Sequence, residues 1–150
     1  MDSMQRTGRH PAGTSDRTRF ARRLGRLAVT GALATSAATA TTTLAAAAAS
    51  ALGVDFAVPE GGESIPLAGF AVVTAFFSTV GVVIAAALLR WSTRPAERFV
   101  SAAVALTVLS LVPPFLSGSG VATVTALVGL HLVAASVMVP ALARGLRAAA

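Results

Sequence analysis

Cysteine and lysine are both absent from the 150-residue chain, and charge of any kind is scarce. Without cysteine there is no disulfide framework, no thiolate metal site and no thiol nucleophile, and the redox compartment cannot be inferred. All twelve basic residues are arginine. With the heavy alanine usage, this points to a GC-rich coding bias rather than to a chemical requirement. Charged residues make up 12% of the chain, about half of what a soluble domain carries. They are also bunched, leaving long uncharged stretches between them. No Asp, Glu, Lys or Arg lies within the central part of any such stretch. Ion and proton pathways usually rely on intramembrane charge, so that class of mechanism is disfavoured. Small multidrug transporters also have four helices, but they depend on an acidic residue inside the first, and none stands there. Paired carboxylates, a nucleophile–base pair and a credible metal set are also missing. Neither catalysis nor a cofactor is expected.

What is present is apolar. The chain is 55% hydrophobic with a mean hydropathy of +0.76, and four uncharged stretches stand out. They cover about 27–52, 66–89, 97–116 and 121–143. Crossing about 30 Å of hydrocarbon takes about 20 helical residues. The second and fourth stretches meet that length outright, and the third meets it with its flank. The first has the length but is rich in alanine and threonine. Residues 1–24 read as a polar, disordered cytoplasmic tail, the arginines cluster over 17–26 as RTRFARRLGR, and 148–150 read as a short closing tail.

Arginine alternates along the chain. It is present before the first stretch (Arg17, Arg19, Arg22, Arg23, Arg26) and absent from VDFAVPEGGESI, which carries Asp55, Glu60 and Glu63. It returns in RWSTRPAER, is absent from SGSG, and returns as Arg144 and Arg147. Cytoplasmic loops carry the excess of basic residues in membrane proteins. The expected architecture is therefore all-α: a four-transmembrane-helix bundle with short loops, both termini cytoplasmic, multi-pass in the plasma membrane. Trp91, at the inner end of the second stretch, suits an interfacial anchor. The net charge of +6 does not imply nucleic-acid binding, because the arginines flank apolar segments and do not stripe a soluble face.

The competing reading of the first stretch is a secretory signal, with small residues near Ala49 and Ala51 as a cleavage site. Its uncharged region exceeds the usual 7 to 15 residue apolar core, and cleavage would break the arginine alternation. At about 100° per residue, Thr35, Thr39, Thr42, Thr43, Ala46 and Ser50 share one face, with Leu33, Leu44 and Leu52 on the other. That pattern suits a retained helix with small and hydroxylated residues turned inward.

The one ionisable group at depth is His131. A lone histidine does not make an ordinary metal site. The expectation is a neutral imidazole bonded to a backbone carbonyl or a hydroxyl, with the first-stretch threonines (Thr35, Thr39, Thr42), Thr107 and Ser110 as candidate partners. Pro113 and Pro114 should kink or stop the third helix, and Pro140 marks a second break by freeing the Ser136 carbonyl. The acidic outer loop reads as solvated turn chemistry.

Three segments carry a family resemblance: LGVDFAVPEGG, VPPFLSG and HLVAASVMVPALAR. They resemble a family of small bacterial four-helix membrane proteins, mainly of high-GC Gram-positive (actinobacterial) type, catalogued as a domain of unknown function. The likeness covers residues 25 to 147 and is most specific in the fourth span, where His131 precedes Pro140 and Ala143-Arg144 follows. The first span departs from it in being poorer in large apolar residues. The resemblance implies retention of that span and supplies no activity. The expected role is a non-catalytic membrane protein that acts by packing, as a homo-oligomer or with a membrane-protein partner. The alternative is a small transporter or channel for a neutral or lipidic solute, using His131 and the proline breaks.

Overall fold

The computed structural model describes residues 12–56, 64–116 and 119–149, all helix and connecting turns apart from an isolated bridge at Ser64. The helices are α1 (Ala12–Ala51), α2 (Leu67–Trp91), α3 (Pro95–Ser110), α4 (Val112–Leu116) and α5 (Val121–Ala149). Three segments, Leu67–Trp91, Pro95–Leu116 and Val121–Ala149, are long and apolar enough to cross a membrane. The 40-residue α1 is not among them. Its length suffices, but threonine, serine and alanine dilute its apolar character.

Helix α1 starts well before the first uncharged stretch, so residues 12–24, expected as a disordered tail, are helical. The local reason is a helical pattern hidden among the arginines. Phe20, Leu24 and Leu27 recur at spacings of four and three, and arginine is a good helix former. Extending a helix that is already packed avoids the nucleation cost that a free segment would meet. The Arg90 guanidinium sits over the Phe20 ring at 5.3 Å, tying this extension to the end of α2.

At its other end α1 stops in a glycine-based cap. Gly53 takes φ +88, which lets its N–H reach the Ser50 carbonyl and the Val54 N–H reach that of Ala49, each at 3.0 Å. Helix α2 is closed by the Ser92 N–H on the Leu88 carbonyl (2.9 Å), and α3 opens with Pro95 and Glu97 in its first turn.

The prolines act in two ways. The α3 helix stops at Ser110 and restarts at Val112, so Pro113 and Pro114 fall in a first turn where no N–H is needed. Pro140, expected as a break, lies inside α5, which runs on to Ala149. One lost hydrogen bond there is outweighed by the burial of Leu142, Ala143 and Leu146 just beyond it.

Helix α1 packs along both α2 and α5, α3 packs against α5 and α2, and α2 meets α5 across the middle. Phe20 meets Arg90 and Gly31 meets Val82, while Leu27 meets Gly145 and Ala46 clusters with Leu130, so α1 runs antiparallel to both neighbours. These directions gather Arg17, Arg19, Arg22, Arg23, Arg26, Arg90, Arg94, Arg98, Arg144 and Arg147 at one end. Asp55 lies at the other end, where its carbonyl accepts from Thr123 Oγ1 at 2.6 Å. Glu60 and Glu63 lie outside the described residues.

The burial pattern is inverted relative to a water-soluble fold. Small residues dominate the interior, with Ala34, Ala38, Ala46, Ala85 and Ala143 joined by Leu27, Phe99, Met138, Leu142 and Leu146. Large apolar side chains face outward, including Val72, Phe76, Phe77, Val83, Leu109 and Leu132. Only 11% of the α2 span is buried, so most of its surface needs an apolar surrounding. Trp91 is exposed at the basic end.

Candidate functional site

The buried polar residues are spread over three helices, Thr42 on α1, Ser78 on α2 and Thr123 on α5. The buried stripe of α1 is Leu27, Gly31, Ala34, Ala38, Thr42 and Ala46, at spacings of three and four. A Cβ on Gly31 would stand 2.7 and 2.8 Å from the two Val82 methyl carbons, so only glycine allows this approach of α1 to α2. A Cβ on Gly145 would meet Leu27 Cδ1 at 3.2 Å. Neither glycine stands out in the sequence, because an isolated glycine in an alanine-rich helix carries no signal of what it faces.

The polar residues singled out by sequence do not converge on one point. His131 is half-buried, and its Nδ1 donates to the Leu127 carbonyl of its own helix at 2.8 Å. A carbonyl only accepts, so this bond places a proton on Nδ1. Of the two expected kinds of partner, a backbone carbonyl or a hydroxyl, it is the carbonyl, and none of the candidate hydroxyls is the one bonded. Ser110 Oγ donates to the Thr107 carbonyl at 2.8 Å, next to the helix stop. Thr43 Oγ1 likewise bonds the Thr39 carbonyl, a back-bond that satisfies a hydroxyl without a partner helix.

Thr42 is 3% exposed, and its hydroxyl has no hydrogen-bond partner; the Thr39 hydroxyl is in the same state. Thr35 and Thr39 are half-buried and line an open groove of about 640 Å³ between α1 and α2. Ser36, Ala40, Thr43, Leu44 and Ala75 complete its walls. Leu33, Leu44 and Leu52 point outward, and Ser50, placed by periodicity on the inner face, is exposed at the end of the helix. A second groove, about 380 Å³, runs along the outer side of α2 and is almost wholly apolar.

This arrangement offers shape and hydroxyl groups rather than a reacting centre. Among the described residues no group of three or more His, Asp or Glu side chains is placed to hold a metal ion. The Arg94–Glu97 pair, 3.4 Å apart, is exposed and spans one helical turn, so it contributes little. No curated protein and no solved structure matches the chain. Its spans and its interior of small residues are those of a multi-pass membrane protein, and a single family model covers nearly all of it. Residues 22–148 match the Family of unknown function (DUF6069), and the chain belongs to that family.

Proposed function

We propose that this protein is a non-catalytic, four-span protein of the plasma membrane with both termini in the cytoplasm, and that it acts by helix packing with itself or with a membrane partner. The observation that carries this reading is the groove along α1. On α2, α3 and α5 the outward side chains are large and apolar, as lipid-facing ones are. The outward side of α1 also exposes Val29, Leu33 and Leu44, but sets among them Ala32, Ser36, Ala40 and Thr41, all exposed. Small residues at four-residue spacing let membrane helices approach closely, and hydroxyls bond across the contact. The arginine-rich end supports the orientation, since arginine concentrates on the cytoplasmic side.

The absence of cysteine makes the test direct. In native membranes, Ser36→Cys in α1 should cross-link to a second copy or to a partner, whereas Val73→Cys on the lipid-facing side of α2 should not. Equal, low cross-linking at both positions would remove the packing reading. Reporters fused after Gly62 and after Arg94 should localise outside and inside respectively; the reverse would overturn the orientation. His131→Ala in proteoliposomes should leave solute flux unchanged, and a lost proton-coupled flux with assembly intact would favour a transporter instead.

A further inference from the structure

The basic end, where α1 packs against α5, carries more cationic character than orientation alone requires. Arg19, Arg22, Arg23 and Arg26 fall within an arc of about 100° on α1, away from Phe20, Leu24 and Leu27. Arg23, Arg26 and Thr30 form a continuous row at spacings of three and four, and Thr30 ends that row against Gly145 of α5. A Cβ on Gly145 would lie 3.6 Å from Thr30 Cγ2, so the two helices pack closely where the row ends. Arg144, exposed, is the residue next to it.

No ion pair among the described residues neutralises these guanidiniums. Among the described residues the one ion pair is Arg94–Glu97, on the turn between α2 and α3. Arg23 and Arg26 lie within about 6 Å of Leu27 along the helix axis, which is about the depth of one headgroup layer. Arginine pairs with phosphate through a planar fork of donors and is the side chain best suited to that contact.

We propose that Arg23 and Arg26 of α1 and Arg144 of α5 form a binding site for the phosphate of an anionic phospholipid, seated in the α1–α5 seam. This rests on the membrane orientation proposed above, and goes beyond it by assigning a localised lipid site to one side of the basic end.

The test uses the full-length protein in nanodiscs of phosphatidylcholine alone and of phosphatidylcholine mixed with phosphatidylglycerol, with co-purified lipid quantified by mass spectrometry. The wild type should enrich phosphatidylglycerol. The variant R23Q/R26Q/R144Q should lose at least tenfold of that enrichment, from about fivefold per arginine at a membrane surface. A charge-matched control, R94Q/R98Q/R147Q, should retain it within about twofold. Equal loss in both variants, or no enrichment in the wild type, overturns the proposal. Inorganic phosphate should not raise the melting temperature in phosphatidylcholine discs; a rise equal to that from phosphatidylglycerol would assign the site to free phosphate and overturn the lipid assignment. Helical, folded protein in phosphatidylcholine discs keeps these outcomes separate from a failure of the membrane reading, which would appear as no insertion into either disc.

Discussion

Helices α1 and α2 lie side by side and solve the same problem in opposite ways. Helix α2 turns Val72, Val73, Phe76, Phe77, Val80 and Val83 outward and buries little beyond Ser78 and Ala85. Partition into an apolar surrounding is enough to hold it. Helix α1 has few large side chains and threads Gly31, Ala34, Ala38, Thr42 and Ala46 between its two neighbours. Lipid tails are as apolar as leucine, so no hydrophobic force drives helices together inside a bilayer, and close van der Waals contact must do it. On the four-span reading proposed above, α1 is kept in place by fit and α2 by solubility.

The sharpest way to break the comparison is to create a void inside and another outside. Leu142 is fully buried, and Leu142→Ala should destabilise the fold by about 3 kcal/mol, the middle of the range for a leucine truncated in a packed core. Phe76, on the outer side of α2, should tolerate Phe76→Ala with a change below about 0.5 kcal/mol despite losing more atoms. Thermal unfolding in mild detergent measures both, and equal costs would erase the distinction between inside and outside.

A smaller effect is expected from filling the close approach. Gly31→Leu should cost about 2 kcal/mol, because its Cβ alone would overlap both Val82 methyl carbons. Val82→Ala in the same chain should restore part of the loss. Gly25→Leu, whose Cβ would meet nothing within 4 Å, should cost much less in the same unfolding measurement.

The smallest effect carries the opposite sign. Thr42 is buried with an unsatisfied hydroxyl, so Thr42→Val should stabilise by about 1 kcal/mol. A loss of similar size would mean that the hydroxyl meets a partner in the assembled protein, and would strengthen the case for a second helix along α1.

The apolar spans are legible because a run of uncharged residues is a property of the sequence itself. The expected ranges 66–89 and 121–143 lie beside helices at Leu67–Trp91 and Val121–Ala149, the latter carried past Pro140 by packing that no local rule contains. The arginine-rich segment reads as disordered in sequence because its charge masks the row of Phe20, Leu24 and Leu27. The polar site is the least legible part. His131 is identifiable as the lone ionisable group at depth, yet its bond to the Leu127 carbonyl is a choice between partners that spacing leaves open.

Composition and charge order by themselves determined the class of this protein, an all-helical membrane chain, because partition free energy sums over residues whatever their arrangement. Which face of α1 is buried, that Gly31 admits Val82 and Gly145 admits Leu27, and that the Thr42 hydroxyl is left without a partner were decided by the tertiary structure alone. Those outcomes depend on distances between helices far apart in sequence, and contact energies that change over a few tenths of an ångström are written in no single segment.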